Sequence, residues 1–171
     1  MSPFAASSHL YRWLLAAVVS GIFTLASPLV SAQAGKDVDD LVSQAQSAMQ
    51  KGRPADAVNL LRRAIDAAPD RADLYMMRSR ARGASGKFEA AIDDASKYIE
   101  LEPDDPAGYI NRARIYSSEE KHKEALEDAN KAIAMAPDQP DGYYRRADIY
   151  NDMGKTAEAK ADEAMAQKLD K

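Results

Sequence analysis

The chain has 171 residues, about the length of one domain. It contains no cysteine, which excludes disulfides, thiolate metal sites and a thiol-borne lipid anchor. With 23 Lys and Arg against 27 Asp and Glu, the net charge of −4 argues against nucleic acid or an anionic membrane surface as main partner, because both select clustered basic residues.

The chain opens on a segment whose only charged residue is Arg12. An apolar run from Trp13 to Val30 follows, interrupted by Pro28, and then the small residues of Ala32-Gln33-Ala34. Basic start, apolar middle and small-x-small end form the pattern of a secretory signal peptide. Residues 1–34 are therefore predicted to be removed near Ala34, leaving a periplasmic or secreted protein that starts at Gly35. Loss of Arg12 takes the basic count from 23 to 22 against 27 acids, a net charge of −5. The alternative keeps residues 13–30 as an anchor, at the short end for crossing a bilayer, and makes the protein a membrane-tethered assembly factor. Membrane contact is expected only in that case.

From Val38 onward the chain falls into rows of 34, at 38–71, 72–105, 106–139 and 140–171. Ala68-Pro69-Asp70, Glu102-Pro103-Asp104 and Ala136-Pro137-Asp138 stand at equivalent points. The fourth column holds Leu41, Tyr75, Tyr109 and Tyr143, and the eighth holds Ala45, Ser79, Ala113 and Ala147. The twentieth is Ala57, Ala91, Ala125 and Ala159, while the breakers Gly52, Gly86 and Gly154 share a column with Glu120. Within a row, apolar residues return every three or four positions, as Ala91, Ile92, Ala95, Tyr98 and Ile99 do, which is the helix period. Each row therefore predicts a helix, a short turn, a second helix and a Pro-Asp linker. The proline disfavours helix in the residue before it, and the following Asp is expected to cap the next helix. Small columns let the helix axes approach, and the tyrosines are expected to fill the gap to the next hairpin. A lone hairpin cannot bury its apolar face, so stability must come from stacking.

These columns, with Tyr116 and Tyr150 at the eleventh and proline at the thirty-second, resemble the tetratricopeptide repeat family over roughly residues 38–171. The resemblance implies an all-α, right-handed superhelical solenoid of about four antiparallel helix hairpins. It departs from the pattern in row one, with Leu41 and Ala48 at the aromatic columns, and in row two, with Arg82 at the eleventh. In row four Lys160 and Gln167 stand where earlier rows carry Ile92/Ile99 or Leu126/Ile133. A polar outer face is what a solenoid end needs, so 140–171 is expected to be the closing repeat of a complete array.

Catalytic candidates are few. His122 is the one histidine after position 34, and adjacent acids such as Asp93-Asp94 point apart on a helix. No glycine-rich phosphate loop or Gly-x-Ser-x-Gly turn occurs. No enzyme activity, cofactor or metal is expected. Arg78, Arg112 and Arg146 share the seventh column and Asp94, Asp128 and Asp162 the twenty-third, which predicts an internal ladder of ion pairs rather than solvated side chains.

The family resemblance further implies that the first helices line a concave groove. The groove residues expected to meet a partner are Met76, Arg80, Ile110, Asn111, Arg114, Tyr144 and Arg145. Guanidinium groups suit carboxylates through bidentate contacts, so the expected partner is a protein or peptide, with an acidic or C-terminal carboxylate group as its candidate anchor. Asn111, Arg145 and Arg80 stand at three positions of the clamp by which some family members hold chaperone tails, with Arg80 a different polar residue there. Met76 and Asp141 replace that clamp's lysines, and Asp141 would repel a carboxylate. A chaperone-tail clamp is therefore not expected. The function read from the sequence is a non-catalytic interaction scaffold of the cell envelope.

Overall fold

The computed structural model describes the backbone of residues 28–171 and the side chains of residues 35–171; the expected signal segment otherwise lies outside them. Among the described residues eight helices follow one another: α1 (Pro28–Gln50), α2 (Pro54–Ala67), α3 (Ala72–Ala84), α4 (Phe88–Leu101), α5 (Pro106–Ser118), α6 (His122–Met135), α7 (Asp141–Asp152) and α8 (Thr156–Leu169). They form four hairpins, and residues Ala34–Lys171 make one compact unit. The architecture is the expected helical solenoid.

All four hairpin turns share one solution. The residue at the breaker column takes a positive φ, +67° at Gly52, +71° at Gly86 and +73° at Gly154. Its N–H bonds back three residues and the next N–H bonds back five, as in Gly52 to Met49 (3.0 Å) and Arg53 to Ala48 (2.9 Å). Row three adopts the same turn with Glu120 at φ 58°, a conformation glycine enters freely and an L side chain resists.

The linkers are equally uniform. Ala68, Glu102 and Ala136, each before a proline, sit at φ −143°, −127° and −136°, off the helix as the proline requires. The Pro-Asp pair then forms the middle of a tight turn, closed by N–H bonds from Arg71 to Ala68 (3.3 Å), Asp105 to Glu102 (3.2 Å) and Gln139 to Ala136 (3.1 Å). This corrects the expected capping role of Asp70, Asp104 and Asp138. They occupy the turn, one or more residues before the helix boundary, and the capping carboxylate is Asp105, which accepts from the Ala107 N–H at 2.9 Å.

Packing follows the columns. Ala45, Ser79, Ala113 and Ala147 of the eighth column and the four alanines of the twentieth are at most 1% exposed. Between hairpins, α5 and α7 approach their neighbours through Gly108 and Gly142. A Cβ on Gly108 would lie 2.7 Å from Ile99 Cγ1, and one on Gly142 would lie 2.8 Å from Ile133 Cγ1. Tyr75 is buried, whereas Tyr109 and Tyr143 are only half-buried, so the fourth column lines the core in row two and its edge in rows three and four. Lys160 and Gln167 of α8 are exposed.

The arginine–aspartate ladder is present in full. Arg78 Nη2 meets Asp94 Oδ1 at 2.7 Å, Arg112 Nε meets Asp128 Oδ2 at 2.7 Å, and Arg146 Nη2 meets Asp162 Oδ1 at 2.7 Å. Each pair is bidentate, and each guanidinium lies over the fourth-column tyrosine of its own helix, 5.7–5.9 Å from the ring centre. The spare nitrogens tie hairpin to hairpin: Arg112 Nη1 donates to Ser96 Oγ (2.9 Å) and Arg146 Nη1 to Asn130 Oδ1 (2.6 Å), both in the preceding repeat. Row one carries Gln44 and Leu60 at the two ladder columns. Leu60 there packs against the apolar cluster that includes Leu61, Ile65 and Leu74.

Candidate functional site

Helices α3, α5 and α7 present their ninth- and sixth-column residues to one concavity because equivalent columns of stacked hairpins share a face. The result is a pocket of about 420 Å³ lined by Arg80, Ile110, Asn111, Arg114 and Arg145, with Pro106, Ala107, Asp105, Gln139 and Asp141 completing it. Five of the seven sequence-predicted residues thus converge. Met76 and Tyr144 do not. Met76 is buried at 7% exposure and lines a separate pocket with Arg71, Asp73, Tyr98 and Glu102, while the Tyr144 hydroxyl donates to Asp170 Oδ2 at 2.6 Å.

Past Arg114 and Arg145 the concavity continues into a second chamber of about 640 Å³, reached by Ser117, Ser118, Glu120, His122 and Asp152. Ser117 donates to Asp152 there at 2.6 Å. His122, expected as a plain surface residue, is half-buried as the first residue of α6, and its Nδ1 is sheltered without a hydrogen-bond partner among the described residues.

The electrostatics of the first chamber are lopsided. Neither Arg80 nor Arg114 has a carboxylate partner among the described residues, and Arg145 reaches Asp148 at 2.9 Å, an acid on its own helix whose side chain is 60% exposed. Burial, and then the like charges of Arg145 and Arg80, pull the Arg114 pKa below the ordinary arginine value. Of the acids that line the chamber, Asp105 is already engaged. It accepts from the Ala107 N–H and, in a short contact, from the Tyr98 hydroxyl. Burial first, and then that hydrogen bond, push the Tyr98 pKa up to about 12. Asp141 is exposed in the first turn of α7.

Sequence reasoning missed two elements of the site. One is Asp105, which stands alone among the linkers as a true cap. The other is Ser79, the one hydroxyl in an alanine column, which is 0% exposed and linked to Asn111. Among the described residues no three His, Cys, Asp or Glu side chains converge as a metal site would need.

Family models described as tetratricopeptide repeat match residues 42–106, 106–139 and 129–161. Curated proteins offer no match. Among solved structures, a crystal structure of MamA superposes with a TM-score of 0.67 at 24% identity, covering 78% of each chain. A MamA fragment from Desulfovibrio magneticus RS-1 gives 0.66 at 17% identity over 78% of this chain and 76% of that one. A Thermobaculum terrenum O-GlcNAc transferase gives 0.62 at 15% identity over 68% of this chain and 22% of that one. At these identities the likeness is one of fold.

Proposed function

The chain belongs to the tetratricopeptide repeat family, whose members generally bind proteins or peptides, and from that premise we propose a non-catalytic scaffold that receives an acidic partner segment in its concave groove. The observation that carries the proposal is the convergence of Arg80, Arg114 and Arg145 on one pocket with no buried carboxylate to neutralise them. Arg114 and Arg145 are half-buried beside the exposed Arg80; gathering like charges there is costly, and an incoming carboxylate offsets that cost with charge-assisted hydrogen bonds. Ile110 and Pro106 supply apolar surface beside them. The groove is built on packed helices rather than loops, so little order has to be gained on binding.

We propose further that the scaffold works in the cell envelope, after loss of residues 1–34. The sequence pattern of that segment supports this, and an N-terminus at Gly35 in protein recovered from its host would establish it. An intact Met1 would favour the tethered alternative instead.

The binding reading is tested by fluorescence anisotropy with a labelled decaglutamate peptide. Arg114→Ala and Arg145→Glu should each weaken binding about tenfold or more while helicity is unchanged, the loss expected for a charge-assisted contact. Equal affinity in both variants would remove the groove as the site.

A further inference from the structure

Ser79 occupies a column that is alanine in the other three repeats, at zero exposure. A buried hydroxyl is costly unless its hydrogen-bonding capacity is used. Ser79 donates to the Ala91 carbonyl at 2.8 Å and accepts from Asn111 Nδ2 at 2.8 Å. Asn111 is itself only 4% exposed, so its amide is held between helices rather than offered to a ligand. With Nδ2 spent inward, Oδ1 faces the groove and accepts from Arg114 Nη2 at 3.2 Å. The Arg114 head also lies against bare backbone. A Cβ on Gly83 would come within 3.6 Å of Nη2.

The chemistry of this chain of contacts is specific. A carboxylate at position 111 would hold Arg114 and also cancel its charge. An amide oxygen holds it and leaves the charge intact. Without a restraint, a guanidinium repelled by Arg80 and Arg145 would swing toward solvent, and ordering it would then oppose binding. We infer that Ser79 and Asn111 are positioning residues, a neutral tether that fixes Arg114 in the groove as the anchor for a carboxylate of an acidic segment. The choice of ligand rests on the function proposed above; the tether does not.

Nitrogen-15 relaxation of the arginine side chains reads the tether directly. Ser79→Ala restores the residue the other repeats carry, so the fold is kept. It should raise the mobility of the Arg114 side chain toward that of Arg80 and leave Arg112 unchanged. Unaltered Arg114 dynamics would overturn the inference. In decaglutamate binding, Ser79→Ala should weaken affinity about fivefold, with no further loss when added to Arg114→Ala; a loss that persists in that background would also overturn it. Asn111→Asp should keep Arg114 ordered and still cost about tenfold in affinity, because the charge is now cancelled. Full affinity in Asn111→Asp would contradict a neutral tether. If decaglutamate fails to bind the unmodified protein, the groove reading falls, and the relaxation experiment alone decides the tether.

Discussion

Two sets of three arginines lie on the same first helices and have opposite fates. Arg78, Arg112 and Arg146, one or two residues from the groove arginines, each find a bidentate aspartate and a tyrosine ring, and two of them also bridge to the hairpin before. Arg80, Arg114 and Arg145 face the concavity and find an amide, an exposed acid or nothing charged at all. The raised pKa of Arg112 and of Arg146, caused first by the aspartate hydrogen bond, contrasts with the lowered pKa of Arg114, caused first by burial. The difference teaches that residue type does not decide role here. An arginine whose counter-charge is built into the fold is structural, and one whose counter-charge is missing, or exposed as Asp148 is beside Arg145, is available to a partner.

The sharpest way to break this comparison is to remove one charge from each set. Asp128→Ala leaves Arg112 unpaired beside the core and should cost about 3 kcal/mol, near the low end for breaking a buried pair, because Arg112 keeps Ser96 and some solvent. Arg114→Ala, by contrast, should shift stability by no more than about 0.5 kcal/mol, since the change relieves repulsion. Thermal melts of the two variants check this, and equal losses would erase the distinction. Next in size, Tyr109→Ala should cost about 2 kcal/mol, less than a full core truncation because the ring is half-buried under Arg112. An unchanged melting temperature would mean that the tyrosine does not support the ladder.

Smaller effects sharpen the picture at the groove rim. Glu120→Gly should stabilise by about 1 kcal/mol by relieving the positive φ, and a destabilised variant would show that the carboxylate holds something in the second chamber. Tyr98 donates a hydrogen bond to Asp105, one of the acids that line the groove pocket. Its folded pKa of about 12 lies above the ordinary value near 10, so the folded state binds the proton more tightly. That contribution to stability is therefore complete below pH 10 and fades as pH rises toward 12. Tyr98→Phe should flatten the alkaline part of the stability profile, and an unchanged profile would discard the linkage.

Whatever repeats was legible in the sequence, and whatever occurs once was not. The alanine columns and the place of the hairpin turn could be read because three or four copies report the same constraint, and the ladder because both partners recur in step. Pro-Asp was read correctly as a boundary but wrongly as a cap: the pair fills the turn, and the cap falls to Asp105, a single-copy residue. Met76 and Tyr144 sit at groove columns yet do not line the arginine pocket: Met76 lines a separate one with Tyr98 and Glu102, and Asp170 holds the Tyr144 hydroxyl. Ser79 looked like a tolerated small residue. Its role depends on Asn111, 32 residues away on the next hairpin, a pairing that no periodicity signals.

The most direct test is a map of arginine side-chain resonances during titration with decaglutamate peptide. Shifts confined to Arg80, Arg114 and Arg145, with Arg78, Arg112 and Arg146 unmoved, are what a pre-neutralised ladder beside an open anion groove requires. Shifts at the ladder arginines, or none at the groove, would contradict it.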